Sequence, residues 1–151
     1  MKNTLLIAFL SMICLTFSNT QAHAQQAYDS LCESYKTYYT LEDALKDPLA
    51  VQKLDLSMQK LTVLPEEIMQ FKNLVCLDLA FNRIGILPTS FANLTNLKVL
   101  NLTGTRYMSK VPSILAQMPN LLVVDLREHP EWTAAKFDEA IKLLPHVTII
   151  K

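Results

Sequence analysis

Glycine is almost missing from this chain: Gly85 and Gly104 are the only two among 151 residues. Phosphate-cradling loops need several glycines where backbone closes on a ligand, so nucleotide-binding loops of that kind are excluded. Histidine is scarce too. His23, His129 and His146 show no metal-ligand spacing, and no Cys-x-x-Cys is present. Neither charge dominates, with 14 basic and 14 acidic residues, which argues against nucleic acid or an anionic membrane as the main partner. One long apolar run exists, Leu5 to Phe17, and it is short of the roughly 20 residues a spanning helix needs.

That run reads as an address. Lys2 precedes it and Ala22-His23-Ala24 follows, the positive start and small-residue exit of a secretory signal peptide. Residues 1–24 are therefore expected to be removed and the protein exported to the periplasm, cell surface or exterior. Cys14 follows Met12-Ile13 rather than a small residue, so lipid attachment is not expected. Removing 24 of 151 residues leaves 127, enough for one compact domain, with one Lys and no acid lost. No membrane span is expected after cleavage.

Cys32 and Cys76 remain. An oxidising compartment permits a bridge between them. The positions argued below, however, set Cys32 in an N-terminal cap and Cys76 on an outward strand face, so free thiols are expected.

The chain repeats itself. Segments opening at Val51, Leu74, Leu97, Leu121 and Val147 begin alike, at intervals of 23, 23, 24 and 26 residues. They carry Leu54 and Leu56, Leu77 and Leu79, Leu100 and Leu102, Val124 and Leu126. Leu64-Pro65, Leu87-Pro88 and Val111-Pro112 follow in phase, and beyond each proline stand Ile68 and Phe71, Phe91 and Leu94, Leu115 and Met118. Residues two apart share one face of a strand, and residues three apart share one face of a helical turn. No unit has enough apolar surface to fold alone, so the units are expected to stack over one continuous core.

The pattern L-x-x-L-x-L-x-x-N-x-L-x-x-L-P resembles the leucine-rich-repeat family in its 23-residue Leu-Pro class, and the layout resembles small secreted bacterial members. The resemblance covers residues 51–151. It implies an α/β solenoid, a short curved right-handed array with parallel strands on the concave face and short helices or 3₁₀ segments on the convex face. The second unit fits best, with Leu74, Leu77, Leu79, Asn82, Ile84, Leu87 and Pro88. The family's asparagine is replaced by Gln59, Thr105 and His129 in the other units, so those turns must satisfy their backbone differently.

Helical caps are expected at both ends. Residues 25–50 form the N-terminal cap segment, with a helix starting at Thr40 and stopping before Pro48, and Leu41, Ala44 and Leu45 over the first coil. A second helix runs from Thr133 to Leu144 with Phe137, Ile141 and Leu144 on its core face, followed by a final strand at 147–150.

Alternation assigns the outward columns of the sheet. One holds Lys53, Cys76, Val99, Val123 and Ile149; the next holds Asp55, Asp78, Asn101, Asp125 and Lys151; a third holds Ser57, Ala80, Thr103 and Arg127. The aliphatic column reads either as β-propensity or as a docking stripe. The acidic one reads either as a solvated face or as a complement to a basic partner. Phe81 and Tyr107 are exposed candidates that also suit gaps between turns. Asp55 and Asp78 approach the carboxylate spacing of a retaining glycosidase, but an open sheet offers no cleft.

The expected protein is thus a monomeric, non-catalytic scaffold without cofactor or metal. It binds another protein on its concave face through Lys53, Asp55, Cys76, Asp78, Val99, Asn101, Val123, Asp125 and Arg127. A glycan- or cell-wall-binding module is the alternative.

Overall fold

The computed structural model describes residues 22, 23 and 25–151. The apolar run Leu5 to Phe17 lies outside the described residues, as does Ala24 of the expected cleavage signature. A helix, α1, runs over 25–32. Six strands follow: β1 (Thr37–Tyr38), β2 (Lys53–Asp55), β3 (Cys76–Asp78), β4 (Val99–Asn101), β5 (Val123–Asp125) and β6 (Thr148–Ile150). All pair in parallel, each with its sequence neighbour, in one sheet.

The spacing of apolar residues builds each coil. Leu54, Leu77, Leu100 and Val124 occupy the same strand register and are buried on one side of the sheet. Each proline then stands extended before a 3₁₀ turn, at Glu66–Gln70, Thr89–Asn93 and Ser113–Gln117. The residues three apart close those turns. Phe71 N–H donates to Ile68 O at 3.1 Å, Leu94 to Phe91 at 3.1 Å and Met118 to Leu115 at 3.2 Å. Their side chains meet the strand leucines in one continuous core. Burying each Leu-sized side chain is worth about 1.5–3 kcal/mol, the main force holding one coil on the next.

Asparagines tie the coils at two corners. Asn82 is buried; its Oδ1 accepts Leu61 N–H at 2.9 Å while its Nδ2 donates to Leu56 O at 2.8 Å and Leu79 O at 3.0 Å. In the substituted turns, Gln59 donates to Tyr39 O, Thr105 Oγ1 donates to Leu102 O at 2.7 Å, and His129 Nε2 lies 3.0 Å from the same Leu102 carbonyl. His129 therefore makes the backward reach that Asn82 makes, with its proton on Nε2. A second ladder was not anticipated: Asn73 donates to Leu49 O, Asn96 to Lys72 O and Asn120 to Thr95 O, all within 2.9 Å. Each of these residues immediately precedes a unit's first leucine, a recurrence visible in the sequence.

The N-terminal cap is more than one helix. Strand β1 adds a full edge to the sheet, and α2 (Leu41–Ala44) follows, with Thr40 Oγ1 accepting Asp43 N–H at 3.2 Å. Ala44 is buried, and Leu41 and Leu45 pack on the core as expected. At the other end, α3 (Ala134–Leu143) is an α-helix where earlier coils have 3₁₀ turns. Its buried residue is therefore Ala140, four before the buried C-cap Leu144, and Ile141 is exposed, contrary to the spacing carried over from the earlier coils. Trp132 seals this end: its Nε1 donates to Met108 O at 2.9 Å, and its ring lies 4.6 Å from His129 and 5.4 Å from Phe137.

The last strand corrects the expected columns. Val123 pairs with Thr148, Val124 with Ile149 and Asp125 with Ile150. The terminal coil alternates directly, Val147-x-Ile149, without the additional residue of L-x-x-L. Ile149 therefore packs against the core, while Ile150 turns to the opposite face.

Candidate functional site

The strand face opposite the core was expected to be open. Helix α1 lies on it. Tyr28, Leu31, Cys32 and Tyr35 recur at i, i+3, i+4 and i+7, one apolar face of a helix and the turn that continues it. Together with Ala27 they pack over Val75, Cys76, Val99, Val123 and Ile150. Exposure of Cys76 is 4%, of Val99 1%, of Val123 2% and of Asp125 1%. Gln25 and Cys32 anchor the ends of α1. Arg127 donates to Gln25 Oε1 at 3.1 Å beside β5, and Cys32 is disulfide-bonded to Cys76 on β3. Seven residues of helix rise about 10.5 Å, close to the ~9.6 Å across two strand spacings. The helix thus matches the breadth it covers. The expectation of free thiols is overturned, because the N-terminal segment crosses the sheet instead of remaining at its edge.

The acidic column has a local role that its sequence position did not reveal. Asp55 Oδ1 accepts Ser57 N–H, Asp78 Oδ1 accepts Ala80 N–H, Asn101 Oδ1 accepts Thr103 N–H and Asp125 Oδ1 accepts Arg127 N–H, at 2.8–3.1 Å. Each closes an Asx turn that ends its strand. Asn101 separates two of the acids and donates to Asp78 Oδ2 at 2.8 Å. Burial, opposed by hydrogen bonds from Ala80 and Asn101 and aided by Asp55 and Asp125, holds the Asp78 carboxyl above the usual carboxylate range. Tyr28 brings its hydroxyl to the same column, beside Asn101 and the carboxylates of Asp78, Asp125 and Asp55. Burial and the neighbouring carboxylate of Asp78 push that phenol well above its ordinary value. Asp125 is clamped by Arg127, whose Nε and terminal nitrogen reach both carboxylate oxygens at 2.6–3.1 Å. Hydrogen bonding to Asp125 raises the Arg127 guanidinium further.

Of the nine residues expected to meet a partner, four are therefore sealed under α1. Lys53, Asp55, Asp78 and Asn101 are half-buried, and Arg127 alone is exposed.

The open surface lies at the turns that follow the strands. Met58, Phe81, Gly104 and Glu128 are the eighth residues of successive coils, and all adopt left-handed backbone, with φ of 58°, 56°, 63° and 59°. The sheet ladder continues through them: Met58 N–H donates to Ala80 O, Phe81 to Thr103 O and Gly104 to Arg127 O. Such a conformation is unfavourable for bulky side chains, yet Met58 is 69% and Phe81 47% exposed. The Phe81 ring leans over Gly104, where a Cβ would stand 2.6 Å from Phe81 Cδ1. Phe81 thus covers the next turn while about half of its surface stays open to solvent. Beside it, Gly104, Arg106, Arg127 and Phe137 line an open groove of about 500 Å³. Tyr39 and Tyr107 are also exposed. Among the described residues no group of three His, Cys, Asp or Glu is placed to hold a metal ion, and no helix is long and apolar enough to cross a membrane.

Stacked parallel strands, 3₁₀ turns and an Asn-held corner define a leucine-rich-repeat solenoid. Residues 49–107 match the leucine-rich-repeat family model, and the stacked coils have that family's fold. Among solved structures it is similar to a leucine-rich-repeat protein of Leptospira interrogans, at 30% identity and a TM-score of 0.47, over 62% of this chain and 30% of that one. This chain thus spans about a third of that protein's length. No curated protein matches the sequence. Arrays of this family are scaffolds typically used for protein interaction.

Proposed function

We propose that this protein is an exported, non-catalytic scaffold that binds another protein. The partner meets the turns following the strands rather than the strand face. The observation that carries this reading is the presence of Met58 and Phe81 at equivalent turns, large, apolar and exposed, on backbone that costs bulky residues energy. Strain of this kind concentrates where a surface is used. The site expected from the sequence is withdrawn as a free surface because α1 occupies its aliphatic column. Export is supported by the Cys32–Cys76 bridge, since structural disulfides belong to oxidising compartments.

A photo-crosslinking residue at Phe81, at Val99 and at Glu67 in three separate full-length proteins tests the reading in native exported fractions. The Phe81 probe is expected to capture a discrete protein, the Val99 probe only its own α1, and the Glu67 probe nothing. Retention on insoluble cell-wall glycan with no captured protein would transfer the assignment to a glycan-binding module, whose ring-stacking residues would be Tyr39 and Tyr107.

A further inference from the structure

The tenth residues of the first three coils are Lys60, Arg83 and Arg106, two positions beyond Met58, Phe81 and Gly104; Lys60 is itself left-handed, with φ of 59°. All three are exposed, and none joins an ion pair with another described residue. They hold the same sequence position in successive coils, and the Arg83 N–H bond to Leu61 O at 2.7 Å sets Arg83 against the residue that follows Lys60. Coils are spaced about as strands are, so the three backbone positions lie within about 10 Å along the solenoid axis. Like charges so placed repel, and folding alone gives no reason to align them. Of the nearby acids, Glu128 shares the groove with Arg106 but forms no ion pair with it, Glu66 and Glu67 are on the 3₁₀ turn, and the Asp column is closed into Asx turns under or beside α1.

We propose that Lys60, Arg83 and Arg106 form a ridge that receives an acidic, extended segment of a partner protein, with Met58 and Phe81 taking the apolar side chains that alternate with its carboxylates. This rests on the scaffold reading above and names the chemistry of its partner. Guanidinium forks suit carboxylates in bidentate geometry, and two of the three cations are arginine. An extended chain puts alternate side chains on one face about 6.6–6.8 Å apart, a separation that long Lys and Arg side chains bridge. The balance of 14 basic and 14 acidic residues in the whole chain gives no general attraction to polyanions, so the recognition is local and needs the apolar contacts as well.

The test uses the full-length protein and a fluorescein-labelled decapeptide of alternating glutamate and leucine. A glutamine–leucine decapeptide, heparin and phosphatidylglycerol vesicles serve as the other probes. Saturable binding of the glutamate peptide that weakens with added salt is expected, with none for the glutamine peptide. The triple variant Lys60→Glu, Arg83→Glu, Arg106→Glu should lose at least tenfold in affinity with circular dichroism and melting unchanged. A control triple, Lys72→Glu, Lys136→Glu, Lys142→Glu, should retain it. Tighter binding of heparin or vesicles than of the peptide overturns the proposal in favour of a sugar polyanion or a lipid surface. Equal loss in the control triple, or no peptide binding by the wild-type protein, also overturns it. If the Phe81 crosslink to a partner survives in the Lys60/Arg83/Arg106 variant, the ridge fails and the scaffold stands; if the wild-type protein captures nothing, the scaffold reading fails first.

Discussion

Replacing Cys32 and Cys76 together by alanine should cost this protein a large share of its stability. The two residues are 44 apart in sequence, and their cross-link removes loop-closure entropy from the unfolded chain. In the chain-entropy relation a loop of that length corresponds to roughly 13 cal/mol/K, or about 4 kcal/mol at 25 °C. With a urea m-value of about 2 kcal/mol/M, the midpoint should fall by about 2 M. The closed loop contains β1, α2 and the whole first coil, so the loss should appear first there. Amide exchange in 25–56 should accelerate more than in 97–150. Urea titration followed by circular dichroism, with thiol labelling of the unfolded wild-type protein under non-reducing conditions, measures both parts. A midpoint shift below about 0.3 M, or two thiols labelled in the wild type, would mean that the cysteines are unpaired. The seating of α1 on β3 would then lose its anchor.

Gly104→Ala should destabilise by about 1–2 kcal/mol from its left-handed backbone alone, and by more because the new methyl meets the Phe81 ring at 2.6 Å; in a Phe81→Ala background only the backbone part should remain, a difference a double-mutant cycle reads directly. Asn82→Ala should cost about 1–3 kcal/mol, since it leaves Leu61 N–H and the Leu56 and Leu79 carbonyls without their partner, and chemical denaturation at fixed pH checks it. For Asp78 the folded pKa is raised above its unfolded value, so the folded state holds the proton more tightly: its stabilising contribution is full below the unfolded pKa and is lost as pH rises through the folded one. Carboxyl-detected NMR titration should show Asp78 deprotonating at higher pH than an ordinary aspartate, and an ordinary titration there would refute its burial under α1.

The repeat was legible because it is redundant. Leu54, Leu77 and Leu100 state the same instruction three times, and the proline-linked pairs repeat it in a second phase. Redundancy ends at the chain's ends, and so did the accuracy of the reading. At β6 a single missing residue exchanged Ile149 for Ile150, because a one-residue slip moves every side chain to the other face. At α3, four-residue periodicity replaced three and put Ala140 where Ile141 was expected. The larger miss was α1. Its pattern of Tyr28, Leu31, Cys32 and Tyr35 was present, but helical periodicity states which residues share a face and not where that face docks. The Asp column was misread for a related reason: alternation gives direction, whereas an Asx turn depends on the residue two positions later. The exposed ridge is likewise written in register, though cations carry no packing signal and leave no mark on a search for core.

Because α1 fills the strand face from within the same polypeptide, change at Val99 or Val123 is answerable to Ala27 and Leu31 before it is answerable to any outside molecule. Variation along those strands among related chains would then trace an internal partnership, while selection by a changing partner would be written at the rim, in residues that hold nothing else in place.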